Sequence, residues 1–203
     1  VTVAALRPRP LWRMAAAALF EMDRADEIAR RFPGQAGAEM MADMLQRKLN
    51  CVQTSSMGRW FDTAAGLLGV KEMQDYEGQA AMLLEGLAER HGKVAPLAQG
   101  YIHTAQNELD LRPLLAHLAD CHDAEYGAAL FHATLAEGLC GWVQRAAGRA
   151  AITHVALGGG CFLNNILTQA LFDSLTACGL VVLTAQQLPP NDGAISFGQA
   201  AIA

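Results

Sequence analysis

The C-terminal part of this 203-residue chain carries a strand–helix–strand pattern with a glycine run at its first turn. Residues 152–157 have strand composition and end at Gly158, Gly159 and Gly160. Residues 162–178 have helical periodicity, and residues 180–183 form a second apolar strand. A strand, a helix and a strand within about thirty residues make a βαβ unit, whose strands are parallel with a right-handed crossover. The pattern therefore predicts an α/β fold at this end of the chain.

Upstream of this unit, apolar residues recur mainly at helical spacing. Helices are predicted over residues 11–31, 36–49, 76–91, 109–121 and 123–147, with a further helix that Ser55 or Ser56 caps and Gly69 ends. Residues 97–102 could form a short strand. We divide the chain into a helical segment or linker over residues 1–53 and a second unit over residues 54–203. Because residues 1–10 resemble a connector and begin with Val1, we expect a piece of a longer protein.

Composition excludes several classes of function. The chain has 15 Lys and Arg against 20 Asp and Glu, a net charge of −5, and no basic run, which argues against nucleic-acid or anionic-membrane partners. No apolar stretch approaches the ~18 residues that span a bilayer. The 5 cysteines are widely spaced without a C-x-x-C pair, which excludes a zinc knuckle and indicates a reducing compartment, the cytoplasm.

The glycine run and Asp192 are the first candidates for chemistry. Glycines between a strand and a helix let backbone approach a ligand, and a helix N-terminus offers free N–H groups to a phosphate. The run matches neither the Rossmann nor the Walker pattern, so a tight turn without a ligand is an open alternative. Asp192 follows the second strand, and loops after parallel strands share one sheet edge, so we expect both features to face one crevice. Asp before Gly is also ordinary turn chemistry.

Two carboxylates and one histidine are further candidates. Asp62 interrupts an apolar stretch and Glu77 precedes Gly78 at a helix start, where carboxylates can accept bonds from ribose hydroxyls. The alternatives are a solvated helix position for Asp62 and a helix-dipole charge for Glu77. His132, between apolar neighbours, is expected to be a satisfied core histidine, and the 6 histidines contain no H-E-x-x-H zinc motif.

Six ordered blocks together resemble the HypF carbamoyltransferases of [NiFe]-hydrogenase maturation. They are TSSMGRWFDTAAGLLG at residues 54–69, YEGQAAM at 76–82, ELDLRP at 108–113, FHATL at 131–135, VALGGGCFLN at 155–164 and LPPNDGAISFGQ at 188–199. The blocks run from about residue 50 to the C-terminus. An ordered set of this kind is far more specific than one glycine motif.

The resemblance implies a helix-rich α/β fold: the second ribonuclease-H-like half of an actin/Hsp70-like ATPase fold, with helical insertions. It implies carbamoyl transfer from carbamoyl-adenylate, made with ATP, to the C-terminal cysteine of HypE for cyanide ligand synthesis. The implied roles are ribose binding by Asp62 and Glu77, close backbone approach at Gly58 and Gly78, phosphate and nucleotide contact at Gly159, Gly160 and Asn164, and ligation of a divalent metal (Fe, Zn or Mg) by Asp192. No catalytic residue is assigned.

The chain departs from the family pattern in three places. The family's metal also takes a pair of histidines from the first half of the domain, and neither that pair nor that half is found here. Cys161 stands where valine is expected, and Asn165 where relatives often have a basic residue. We therefore expect the isolated chain to have little or no activity, and its uncovered inner face to favour association, including a homodimer.

Two alternative functions stay open at this point. One is an O-carbamoyltransferase of antibiotic or nodulation-factor pathways, which shares the fold and the adenylate chemistry. The other is a non-catalytic nucleotide-binding or interaction module, which the acidic charge and the missing histidines permit.

Overall fold

A computed structural model describes residues 2–3 and 10–202 of the chain. The helices within these residues are α1 (Leu11–Glu21), α2 (Ile28–Arg31), α3 (Ala38–Gln46), α4 (Met57–Leu67), α5 (Gln79–His91), α6 (Arg112–Ala119), α7 (Ala124–Ala150), α8 (Asn165–Ala177) and α9 (Ile195–Ile202). The strands are β1 (Thr2–Val3), β2 (Val52–Gln53), β3 (Ile102–His103), β4 (Leu109–Asp110), β5 (His154–Leu157) and β6 (Val181–Thr184).

The core forms where amphipathic helices bury their apolar stripes against one another. Helix α7 packs between α5 and α8, and α4 packs between α1 and α5. The largest fully buried side chains include Trp12 of α1, Phe61 of α4 and Phe131 of α7. The rings of Phe61 and Phe131 meet edge to face, with centroids 5.0 Å apart. Helix α1 belongs to the same core as the later helices. The division of the chain at residue 53 stays a prediction. Residues 4–9, which were predicted to be part of a connector, lie outside the described residues.

The predicted βαβ unit is confirmed. Strand β5 pairs in parallel with β6, from His154 opposite Val181 to Leu157 opposite Thr184, and α8 connects them. Strands β1 and β2, and strands β3 and β4, form short antiparallel pairs. The glycine run lies at the carboxyl end of β5, so the loops after both parallel strands meet at one sheet edge.

The predicted helix over residues 11–31 is wrong as a single element. It ends at Glu21 because Asp23 takes a left-handed backbone conformation, with φ of 59°. In the bend, Arg24 bonds Glu27 at 2.6 Å and reaches Asp120 at 2.6 Å. The hydrogen bonds from Arg24 and Arg31 lower the pKa of Glu27 to about 2, and the bond from Arg24 to Asp120 ties the bend to the end of α6.

The predicted strand over residues 97–102 is also wrong. Residues 97–100 form a turn, in which the Gly100 N–H bonds the Leu97 carbonyl at 2.9 Å, and pairing begins only at Ile102. The helix predicted from residue 109 begins at Arg112, because Leu109 and Asp110 belong to β4 and the Asp110 carboxylate accepts the Arg112 backbone N–H. Ser56 occupies the N-cap position of α4, but its side chain makes no capping bond.

The C-terminal sheet leaves apolar side chains uncovered. Val181 and Leu183 of β6 are about half exposed, and parallel sheets are normally covered on both faces. Helix α9 adds exposed Ile195, Phe197 and Ile202 beyond the sheet. The described part of the chain therefore has an apolar face at its C-terminal end that needs another surface to cover it.

None of the helices in the described ranges is long and apolar enough to cross a lipid bilayer.

Helices α1 and α4 approach so closely at Gly66 that a side chain does not fit. A Cβ atom there would lie 2.8 Å from the backbone oxygen of Leu11. We expect Gly66→Ala to lower the free energy of unfolding by about 1–3 kcal/mol through overpacking. Gly86→Ala, in the middle of α5 where a Cβ meets only the end of Arg90 at 3.9 Å, is the matched control and should raise stability by about 0.5–1 kcal/mol. Equal thermal midpoints for both variants would contradict this packing.

Candidate functional site

The glycine turn after β5 lies against the loop after β6. Gly159 has a φ of +112°, which glycine adopts without strain, and its N–H bonds the Pro190 carbonyl at 2.6 Å. A Cβ on Gly160 would meet only Asn191, at 4.0 Å, so open space lies beside the turn. The structure thus joins the two loops at one sheet edge, as predicted, with Asp192 in the second loop.

Protein groups already occupy the N-terminus of α8. The Asn164 side chain caps the helix by accepting the Leu167 N–H at 2.9 Å. The carboxylate of Glu85, on α5, accepts the Asn165 N–H at 2.5 Å. Of the N–H groups that were predicted to be free for a phosphate, those of Asn165 and Leu167 are therefore already bonded. An anion at this edge would meet the glycine turn and the 3-10 helix Gly160–Leu163, which separates the turn from α8.

His132 of α7 holds Asn164 in its capping orientation. The buried ring lies 2.8 Å from the Ala128 carbonyl through Nδ1 and 3.0 Å from the Asn164 amide nitrogen through Nε2. A carbonyl only accepts, so Nδ1 carries the proton and Nε2 accepts from the amide. Burial lowers the pKa of His132, which keeps the ring neutral. His132 is the satisfied core histidine that was predicted, and it also fixes Asn164.

Asp62 is buried and paired rather than solvated. Its carboxylate accepts a bond from Arg59 at 2.5 Å, one turn earlier on α4, and its side chain is 8% exposed. Burial raises the pKa of Asp62 to about 6, while the charge of Arg59 opposes the shift and that of Glu77 adds to it. Helix α4 contacts the 3-10 helix Gly160–Leu163 that follows the glycine turn. Burial raises the pKa of the Cys161 thiol in that 3-10 helix, and the charge of Asp62 adds to the shift.

The other residues predicted to lie at the site, Glu77, Gly78 and Gly58, differ in exposure and in backbone conformation. Glu77 is exposed just before α5 and close enough to act on Asp62. Gly78 has a φ of +82° at the N-cap of α5, so the local turn already requires glycine there. Gly58 lies in the first turn of α4, where a Cβ would meet Ser56 at an ordinary 3.7 Å, so the described structure has room for a side chain at this position.

Asp192 begins a 3-10 helix at the sheet edge and is exposed. Within the described ranges, no group of three or more His, Cys, Asp or Glu side chains could hold a metal ion. One carboxylate is fewer than the three protein ligands usual in catalytic zinc sites. The described residues therefore do not by themselves fit a divalent metal.

Sequence reasoning missed two residues of this site. Arg59 could have been found as the basic residue three positions before a carboxylate on a predicted helix, a spacing that brings the two side chains together. Glu85 carries no local signal, because its partner Asn165 is 80 residues away in the chain.

Comparison with known proteins identifies the family of this chain. Residues 4–199 match the family described as the second subdomain of the carbamoyltransferase Kae1-like domain. Carbamoyltransferase HypF2 of Cupriavidus necator is 48% identical over 96% of the chain and 27% of the relative. A carbamoyltransferase HypF homologue of the same organism is 45% identical over 99% of the chain and 53% of the relative.

A solved structure agrees with these sequences. Full-length HypF in its phosphate- and nucleotide-bound form superposes with a TM-score of 0.81 at 28% identity, over 96% of this chain and 26% of that one. The chain therefore belongs to the HypF carbamoyltransferase family and spans between a quarter and about half of these relatives.

Removing the Asn164 side chain should test the link between α7 and α8. Asn164→Ala deletes a helix cap, which costs about 1 kcal/mol, and leaves the buried His132 ring nitrogen unpaired, which costs about 1–3 kcal/mol. We expect the thermal midpoint to fall by about 4–16 °C in calorimetry. Asn165→Ala, at the exposed neighbouring position, is the control and should change it by little. Equal midpoints would show that the cap contributes nothing.

The burial of Asp62 should appear as a pH-dependent stability difference. In the folded protein, burial raises the pKa of the Asp62 carboxyl from 3.8 to about 6. The stabilisation that follows from burying the neutral carboxyl is therefore fully present below pH 3.8, and it is lost as the pH rises through about 6. Asp62→Asn keeps the shape without the buried charge, so it should match the original protein near pH 4 and exceed it above pH 6. A gain of about 1–3 kcal/mol in free energy of unfolding is expected, measured by urea denaturation. Equal stability at pH 7.5 would contradict a desolvated carboxylate.

Proposed function

We propose that this chain is the nucleotide-side half of a carbamoyltransferase that moves a carbamoyl group from carbamoyl-adenylate to the C-terminal cysteine of HypE, in [NiFe]-hydrogenase maturation. The observation that carries the proposal is the glycine turn of Gly159 and Gly160, with open space beside it and a buried carboxylate close by. Family membership supports the reaction class. The nucleotide-bound HypF that superposes on the chain supports the ligand class.

The reaction is a substitution at the carbamoyl carbon. The cysteine thiolate of HypE forms a carbon–sulfur bond, and the bond from that carbon to the adenylate oxygen breaks, which releases AMP. The nucleophile belongs to the protein substrate, so no cysteine of this chain needs to react. We assign no side chain of this chain to covalent chemistry, and its contribution is to bind and orient the adenylate.

We assign the phosphate of the adenylate to the turn of Gly159 and Gly160, because the structure has open space beside these two residues. The Gly159 N–H bonds the Pro190 carbonyl, and the Asn165 and Leu167 N–H groups of α8 are bonded as well. Asn164 then acts on the turn through its cap and its bond to His132, rather than by a direct charge on the ligand. Glu77, exposed beside the start of α5, can accept bonds from ribose hydroxyls. Asp62 is bonded to Arg59, which is the more exposed member of that pair.

We place the chain as the second ribonuclease-H-like half of an actin/Hsp70-like fold, as the match to a second Kae1-like subdomain supports. The uncovered apolar face of β6 and α9 then packs on the remainder of the domain. For the isolated chain, we propose that two copies form a homodimer by packing this apolar face against each other. Asp192 is kept as a single ligand to a divalent metal, and the other ligands would have to come from outside the described residues.

The test is a transfer assay with the intact protein, ATP, carbamoyl phosphate and HypE. Mass spectrometry should find a carbamoyl group on the C-terminal cysteine of HypE. Gly160→Val fills the open space beside the turn, and Asp192→Asn removes the proposed ligand; both should reduce transfer by at least about tenfold, the equivalent of 1.4 kcal/mol, while adenylate formation continues.

The control for Asp192→Asn is Asp173→Asn, which changes an exposed aspartate on α8 away from the glycine turn and should leave transfer unchanged. If the Asp192→Asn variant transferred as well as the original protein, Asp192 would not be a metal ligand. If the Gly160→Val variant did so, the phosphate would not bind at the glycine turn. Carbamoylation of a hydroxyl compound instead of HypE would identify an O-carbamoyltransferase. Nucleotide binding without any transfer would identify a binding module.

A further inference from the structure

Two cysteines meet where the later part of α7 passes the end of α8. Cys140 lies on α7, and Cys178 follows the last residue of α8. Gln144, one turn beyond Cys140, has its amide nitrogen 3.1 Å from the Cys140 sulfur and 2.7 Å from the Cys178 sulfur. Because both sulfur atoms contact the same nitrogen, they lie no more than about 6 Å apart.

The two thiols have different access to solvent. Cys178 is exposed, whereas Cys140 is buried, with 7% of its surface accessible. A reagent in solution therefore meets the exposed Cys178 first, and burial raises the pKa of the Cys140 thiol. Cys51 and Cys121 instead bond backbone carbonyls, and Cys161 lies by Asp62. Among the cysteines, Cys140 and Cys178 are the two that share a side-chain partner.

We propose that Cys140 and Cys178 are a redox-reactive thiol pair that low-molecular-weight disulfides, such as oxidised glutathione, convert to an intrachain disulfide. The Cys178 thiolate attacks oxidised glutathione, forms a mixed disulfide and releases one reduced glutathione. Cys140 then loses its proton to solvent and attacks the Cys178 sulfur, and the second glutathione leaves as a thiolate that takes up a proton. Two thiols are oxidised and one glutathione disulfide is reduced, so electrons and protons balance.

The bond would tie α7 to α8. The same two helices hold the His132–Asn164 contact near the start of α8, on the side of the glycine turn. A disulfide at the far end of α8 would fix the packing of the two helices at both ends. Formation requires the sulfur atoms to approach to about 2.05 Å, which the exposed Cys178, in the turn after α8, is placed to do.

The experiment treats the folded, purified protein with oxidised glutathione and then blocks free thiols with iodoacetamide. Peptide mapping by mass spectrometry should find a Cys140–Cys178 cross-linked peptide that a reductant abolishes. The thermal midpoint of the oxidised protein should rise by about 5–10 °C, because the cross-link restricts the unfolded chain.

Cys178→Ser should fold, since the position is exposed, and should show neither the cross-link nor the rise. Cys51→Ser is the matched control and should behave as the original protein does. A glutathione that stays on Cys178 while Cys140 remains free would overturn the proposal. A cross-link between Cys178 and any cysteine other than Cys140 would overturn it as well.

Discussion

The hydrogen bonds through His132 hold together the elements on which the candidate site depends. The ring accepts the Asn164 amide and donates to its own helix, and Asn164 in turn caps α8. Phe61 contacts the same ring, with centroids 5.6 Å apart, so α4 is tied to this point as well. Every polar atom in this chain of bonds has a partner only while His132 is neutral, because a protonated Nε2 would face an amide that also donates. Burial, which favours the neutral ring, is therefore part of what fixes the glycine turn.

Charge around the turn is arranged in two different ways. At α8, the positive end of the helix is satisfied by the protein's own Glu85 and Asn164, which stabilises the helix without a ligand. At α4, burial makes the charged form of Asp62 costly, and Arg59 offsets only part of that cost. A buried carboxylate whose pKa is raised to about 6 makes Asp62 a candidate functional group. The contrast supports the proposal that the ligand lies at the glycine turn and α4 rather than at the end of α8.

The C-terminal sheet gives a physical reason to treat this chain as one wall of a larger site. A two-stranded parallel sheet is unusual on its own, because crossover helices and neighbouring strands normally bury both faces. Here β6 keeps Val181 and Leu183 half exposed, and α9 adds Phe197. A metal site at Asp192 is incomplete as well, because the described residues supply too few ligands around this carboxylate. Both features are understandable if the rest of a Kae1-like domain completes them.

The sequence by itself determined the local elements and the family. Glycines between two apolar strands predicted the βαβ unit, and the helical spacing predicted most helices, because these patterns depend on residues close together in the chain. It also predicted that Asp192 and the glycine run share a sheet edge, since topology alone decides this. Only the tertiary structure decided that Asp62 is buried, that Glu85 occupies the end of α8, and that Cys140 meets Cys178. Each depends on side chains far apart in sequence, whose burial and contacts are settled when whole helices pack.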